Sequence, residues 1–238
     1  MRALVTGGTK GIGLAIVRML LSQGYTVTAT YARDSVTANV LQHELSTKGF
    51  SIEVVQAAQD DKKQMTELVK HIRANGPIDC IVCNAGITDR SRLSEISDES
   101  WERVMQVNLN SNMSLIRDLY PDIAPKARIV FISSVMGILP HSMSLAYGVS
   151  KAAVIALAKN LVKEFAGSGT TVNVIAPGFV ETDWQKEKPE YIRQNICNKT
   201  AAGRFALPEE IAEAVCFCLK NEFVNGSVIE ISGGYCYK

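Results

Sequence analysis

Short, continuously apolar, β-branched runs alternate with helix-length amphipathic stretches along the whole chain, and this rhythm constrains the fold more than any other feature. Read as strands, the runs are Arg2 to Val5, Thr26 to Tyr31, Ile52 to Gln56, Ile78 to Cys83, Arg128 to Ile132, Val172 to Ile175 and Ser227 to Ile231. The helical stretches between them carry start and stop signals. Ile12 to Ser22 and Ser35 to Thr47 end near Gly24 and Gly49, and Asp60 or Asp61 caps a helix running to about Ala74. Two longer patterns cover Asp98 to Leu119 and Met143 to Ala166, and a last helix follows Pro208-Glu209-Glu210. Strands apolar on both faces belong to a parallel sheet with helices on each side. Right-handed crossovers make such a sheet doubly wound. The expected fold is therefore α/β, one doubly wound, Rossmann-like domain over residues 1–238 with seven parallel strands. One segment breaks the rhythm. Gly178 to Leu207 replaces the usual short strand-to-helix turn, and long insertions there serve as lids or binding loops.

Composition excludes several function classes. Lys plus Arg number 25 and Asp plus Glu 24, a net charge of +1, which offers no basic excess for nucleic acid. No uninterrupted apolar run approaches the ~18–20 residues of a membrane span. A strand starting at Arg2, directly before a Gly-rich turn, leaves no room for an export signal. Six cysteines in that setting suggest reduced thiols and a cytoplasmic location. The three histidines, His43, His71 and His141, form no ligand-spaced cluster with Cys, Asp or Glu, so no metal is expected.

The first strand runs into Thr6-Gly7-Gly8-Thr9-Lys10-Gly11-Ile12-Gly13. Glycines in such a turn let the backbone approach a pyrophosphate at the N-terminus of the following helix. Further on stand Asn84-Ala85-Gly86 after the fourth strand, and Asn108 within Val107-Asn108-Leu109. Ser134 lies 13 positions before Tyr147, which opens Tyr147-Gly148-Val149-Ser150-Lys151, and Pro177-Gly178 follows the sixth strand. In these ordered motifs the sequence resembles the short-chain dehydrogenase/reductase family across essentially its full length. Segments such as Ala202-Gly203-Arg204-Phe205 look most like its bacterial 3-oxoacyl-acyl-carrier-protein reductase branch.

Tyr147 and Lys151 are an i, i+4 pair on one helix face. An ammonium near a phenol favours the phenolate, so Lys151 is expected to lower the Tyr147 pKa towards catalytic usefulness. Ser134 can donate a hydrogen bond to a substrate oxygen as charge develops there. The resemblance implies that Lys151 also bonds the nicotinamide ribose and that Asn108 holds a water linking Lys151 to solvent. The expected activity is NADPH-dependent reduction of a ketone, first of all a 3-oxoacyl thioester, with Asn108, Ser134, Tyr147 and Lys151 as the catalytic set. Other carbonyl substrates (acetoacetyl-CoA, a steroid, a small ketone) and a non-catalytic dinucleotide-binding role are the alternatives.

NAD enzymes carry an acidic residue at the end of the second strand. Tyr31 stands there instead, and Arg33 with Lys10 could neutralise a 2′-phosphate, so NADP(H) is expected over NAD(H). Asp34 is the rival signal, with a helix N-cap as its structural explanation. After the third strand, Ala58-Gln59 falls where the family contacts adenine, with Asp60 the choice if the register shifts. The full cofactor set is Gly7, Thr9, Lys10, Gly11, Ile12, Gly13, Arg33, Ala58, Gln59, Asn84, Ala85, Gly86, Tyr147, Lys151, Pro177, Gly178, Val180 and Thr182. Cys80 and Cys83 share one strand and face opposite sides, which suits buried thiols and not a redox pair. Lys126 and Arg128 stand where carrier-protein reductases have docking residues, but Gly167-Ser168-Gly169 lacks the second basic group. Trp184, Tyr191 and Ile192 suggest an apolar lid. The resemblance implies a homodimer or homotetramer joined through the two long helices.

Overall fold

Alternate side chains of a strand face opposite sides of a sheet, so strands apolar throughout must be covered twice. The computed structural model, which describes residues 1–142 and 145–237, has that architecture. Its strands are β1 (Arg2–Val5), β2 (Thr26–Tyr31), β3 (Ile52–Gln56), β4 (Ile78–Cys83), β5 (Ile123–Ile132), β6 (Thr171–Pro177) and β7 (Val228–Ile231). All pair in parallel in one sheet of order β3-β2-β1-β4-β5-β6-β7. On one face α1 (Gly11–Ser22), α2 (Ser35–Thr47) and α9 (Pro208–Lys220) bury Ile16, Leu20, Leu41 and Val215 against Val5, Val27 and Val82. On the other, α3 (Lys62–Ala74), α5 (Ser111–Leu119) and α6 (Leu145–Glu164) bury Leu68, Ile72, Leu115 and Val154 against Leu4, Ile81 and Phe131. Each such fully buried side chain contributes about 1.5–3 kcal/mol. Cys80 joins the first layer and Cys83 the second, as their spacing on β4 requires.

The structure corrects several boundaries. The expected helix from Asp98 to Leu119 is interrupted: α4 (Asp98–Met105) passes into a π-helical turn, Gln106–Asn110, before α5. Strand β5 begins at Ile123, not Arg128, with a register shift against β4 between Ile78 and Cys80. Of the helix expected from Met143 to Ala166, α6 spans Leu145–Glu164, and Met143 lies outside the described residues. By length and mean hydropathy (1.3) α6 alone among the described residues could cross a membrane. It nevertheless packs on the sheet through Val154 and Ala158.

The segment Gly178 to Leu207 is not plain loop. It contains α7 (Asp183–Lys186) and α8 (Glu190–Lys199); the bridge Val180–Ala206 closes its base, and the bridge Thr200–Tyr235 ties it to the segment after β7.

Candidate active site

Strand order reverses at β1 and β4, where successive crossovers leave towards opposite faces and open a crevice at the carboxyl ends. Side chains hold the two loops there together. Thr6 Oγ1 accepts the backbone N–H groups of Asn84 and Ala85, each at 3.0 Å, while Asn84 Nδ2 donates to the carbonyls of Thr6 and Gly7 at 2.9 and 3.0 Å. Asn84 is thus the brace of the Gly-rich turn as well as part of the crevice wall.

The turn itself is a cradle that side chains would fill. Gly7 and Gly11 have φ of 62° and 50°, and a Cβ on Gly13 would lie 2.1 Å from the Gly7 carbonyl oxygen. Behind the cradle stands the N-terminus of α1, suited to a pyrophosphate. The cavity in front measures about 920 Å³ and reaches from this turn to α6 and α8. Its walls include Gly7, Lys10, Gly11, Ile12, Gly13, Arg33, Gln59, Asn84, Ala85 and Gly86 at one end. Ser134, Tyr147, Lys151, Pro177, Gly178, Val180 and Thr182 complete the set of expected residues that line it. The residues present therefore fit a bound dinucleotide.

Two expected cofactor residues stand elsewhere. Thr9 is buried beneath the turn and does not line the cavity. Ala58 spends its N–H on Gln64 Oε1 (2.9 Å) and its carbonyl on Asp61 N (3.0 Å); its neighbours Ala57, Gln59 and Asp60 form the wall instead. At the other rim Asp34 is absent from the wall. It caps α2 through Thr37 N at 3.0 Å and pairs with Lys10 at 2.5 Å. The Lys10 hydrogen bond, reinforced by Thr37, holds its carboxyl well below the usual range. Arg33 is exposed and has no carboxylate partner among the described residues.

Tyr147 and Lys151 project from α6 into the deep end of the cavity, 9% and 4% exposed. Burial pushes the Tyr147 phenol up to about 12, partly opposed by the Ser134 hydroxyl beside it. This reverses the expectation that Lys151 would lower it. The Lys151 ammonium lies 5.6 Å from the ring centre and donates to the Ile132 carbonyl at 2.8 Å, while burial lowers its own pKa to about 8. Ser134, at the end of β5, accepts a hydrogen bond from Met136 N (3.2 Å), which leaves its proton free for another oxygen.

Asn108 does not reach the cavity. Its amide donates to the Ile87 carbonyl and to Ser150 Oγ, both at 2.9 Å, and its oxygen accepts Ile87 N at 2.8 Å. Ser150 in turn donates to the Tyr147 carbonyl at 2.7 Å. The π-helical turn, a form common at functional sites, carries Asn108 into this relay of contacts. Through Ser150, Asn108 ties the π-helical turn to α6.

Sequence reasoning missed three more groups of this kind. Ser133 Oγ donates to the Lys151 carbonyl at 2.8 Å, and Ser150 forms the link just described. Gly137, in the 3₁₀ turn Val135–Gly137 that follows β5, lets α6 pack against that turn, since a Cβ there would lie 2.7 Å from the Lys151 carbonyl carbon. Small residues at such spots leave no periodic signal. Of the proposed lid, Trp184 meets Tyr147 edge-on at 6.3 Å between centres and Ile192 lines the cavity. Tyr191, 74% exposed, faces away. Arg128 is buried, held by Glu222 at 2.9 Å and by backbone carbonyls, so it is not a docking charge. Burial raises the Cys80 and Cys83 thiols to about 12, consistent with inert core residues.

Comparison with known proteins bears on this geometry. The short chain dehydrogenase family profile matches residues 1–192. The chain belongs to the short-chain dehydrogenase/reductase family. It is 33% identical over 238 residues to the 3-oxoacyl-[acyl-carrier-protein] reductase FabG of Salmonella typhimurium, covering 98% of this chain and 96% of the relative. FabG of Staphylococcus aureus is 30% identical over 98% of this chain and 96% of its own length. A blue fluorescent protein from a metagenomic library, solved with NADPH, superposes with a TM-score of 0.93 at 29% identity, over 100% of this chain and 98% of that one. A Burkholderia cenocepacia short chain dehydrogenase solved with NADP gives 0.92 at 26% identity, over 98% and 96%. Membership of this family makes the protein an NAD(P)-dependent oxidoreductase that resembles 3-oxoacyl-acyl-carrier-protein reductase.

Proposed function

We propose that the protein reduces a ketone to an alcohol with NADPH, a 3-oxoacyl thioester being the first candidate substrate. The observation that carries this reading is the burial of the Tyr147 phenol in the deep end of the cavity that Ser134 and Lys151 also line. A reduced nicotinamide bound along the crevice supplies the hydride. As the carbonyl oxygen gains charge, Ser134 donates a hydrogen bond to it and Tyr147 transfers its proton. The Lys151 ammonium then stabilises the phenolate left behind.

Lys151 sets the expected pH dependence. With a pKa near 8 it is cationic at neutral pH and neutral above, whereas the phenol, near 12, keeps its proton throughout. The value of kcat/KM for reduction is therefore level below pH 7 and falls by about tenfold per pH unit well above pH 8. A pH–rate profile of reduction that climbs through this window contradicts the assignment.

The exposed, carboxylate-free Arg33 and the absence of Asp34 from the cavity wall support NADPH over NADH. The FabG relatives support a thioester. The burial of Arg128 leaves Lys126 as the basic group at the expected docking place, which favours recognition of the acyl group over a strong carrier-protein contact there. All six cysteines are free thiols, which supports a reducing, cytoplasmic setting. The apolar, partly uncovered α6 supports a homodimer or homotetramer. With acetoacetyl-CoA as substrate, kcat/KM for NADPH exceeds that for NADH by about tenfold or more, the worth of one charge-assisted contact. Arg33→Ala brings the ratio close to one. A wild-type preference for NADH reverses the cofactor assignment.

A further inference from the structure

The substrate end of the cavity carries charge that the reduction chemistry does not use. Arg90 comes from the segment after β4, and Lys188 from the link between α7 and α8. Both line the cavity that holds Tyr147 and Trp184. Neither has a carboxylate partner among the described residues, although nearby cations do. Arg103 pairs with Asp60 at 3.2 Å, Lys186 with Asp183 at 2.5 Å and Arg193 with Glu181 at 2.6 Å. Lys188 is half-buried, and its pKa is lowered by burial first and then by the like charges of Arg90 and Arg193. Glu187 lines the same end but forms no ion pair with either group.

Placing two cations from different segments on the wall of one cavity, one of them partly desolvated, costs free energy unless an anion joins them. From this we infer that Arg90 and Lys188 form a subsite for an anionic oxygen group, phosphate or carboxylate, carried by the substrate. The inference rests on the ketone-reductase reading of the same cavity and adds the charge of the substrate to it. Trp184 meets Tyr147 edge-on at 6.3 Å between ring centres, so an aromatic wall flanks the reacting end while the two cations meet the charged tail. Two chemical sources offer such a tail: the phosphates of a CoA-type thioester, or the free carboxylate of a 3-oxo acid.

Calorimetric titration of wild-type protein saturated with NADP⁺ tests this without requiring turnover. The probes are acetoacetyl-CoA, acetoacetate and the neutral acetoacetyl-N-acetylcysteamine. At least one anionic ketone binds about tenfold or more tighter than the neutral one, as expected for a charge-assisted contact. Which anionic ketone shows the gap identifies the source. Arg90→Gln and Lys188→Gln each narrow it, Lys188→Glu closes it, and Lys186→Gln, the same charge change outside the cavity, leaves it. Equal binding of all three probes, binding by none, or a gap unchanged in the Arg90 and Lys188 variants overturns the subsite. Turnover judges the other reading separately. Reduction of the neutral thioester without any binding gap removes the subsite and leaves ketone reduction standing. A gap without turnover of any ketone does the opposite.

Discussion

Tyr147→Phe loses roughly 10²- to 10⁴-fold in kcat for NADPH-dependent reduction, the range for removing a positioned general acid. The loss falls on kcat because the phenol proton is needed only as charge develops on the substrate oxygen. Cofactor affinity changes little. The ring remains, and the contacts that hold α6 run through the Tyr147 carbonyl to Ser150 and through the Lys151 carbonyl to Ser133, none of which the substitution touches. Single-turnover reduction and titration of NADPH fluorescence separate the two quantities. A variant that reduces ketones at the wild-type rate assigns the proton to another group. One that loses NADPH binding along with turnover makes Tyr147 a structural residue.

The second large effect is expected at the opposite end of the crevice. A methyl group at position 13 would stand 2.1 Å from the Gly7 oxygen and 2.6 Å from Asn84 Nδ2. The first neighbour is backbone and the second is the brace between the β1 and β4 loops. Neither yields cheaply. Overpacking of this kind costs about 1–3 kcal/mol. For a domain of this size that corresponds to a Tm lower by about 2–12 °C. Because the displaced atoms form the cradle, Gly13→Ala also weakens NADPH by about 10- to 100-fold. Gly24→Ala is the control, since its site is open and a Cβ there meets nothing within 4 Å, although its φ of 82° carries some strain. Calorimetric melting and NADPH titration of both variants measure the difference. Unchanged NADPH affinity in Gly13→Ala contradicts the cradle.

Strand positions were legible because a parallel strand must be apolar on both faces, which leaves uninterrupted runs such as Ile129 to Ile132. The early start of β5 at Ile123 was not, since Pro125 and Lys126 interrupt the apolar run there. The π-helical turn escaped for a different reason. It shifts hydrogen bonding by one residue without altering the apolar periodicity of Asp98 to Leu119. Helices α7 and α8 were hidden by Pro189 and by polar sequence with few core positions, Ile196 being the buried apolar residue of α8.

The same contrast holds within the site. Motif spacing placed Ser134, Tyr147 and Lys151 together because one strand end and one helix turn carry them. Spacing could not say which way Asn108 faces, nor that Ala58 spends both backbone groups internally. Nor did it foresee that burial raises the phenol. Ala58 is taken up locally by Asp61 and Gln64, whereas the Asn108 contacts join residues 21 and 42 positions apart. Arg90 and Lys188, 98 positions apart, are a further case.

The most direct test of ketone reduction by Tyr147 follows NADPH and product together. Wild-type protein given acetoacetyl-CoA, the neutral thioester or a simple ketone consumes NADPH one-for-one with the 3-hydroxy or alcohol product on at least one of them, and Tyr147→Phe does not. No NADPH consumption across the whole panel, or equal consumption by the Tyr147→Phe variant, contradicts the account.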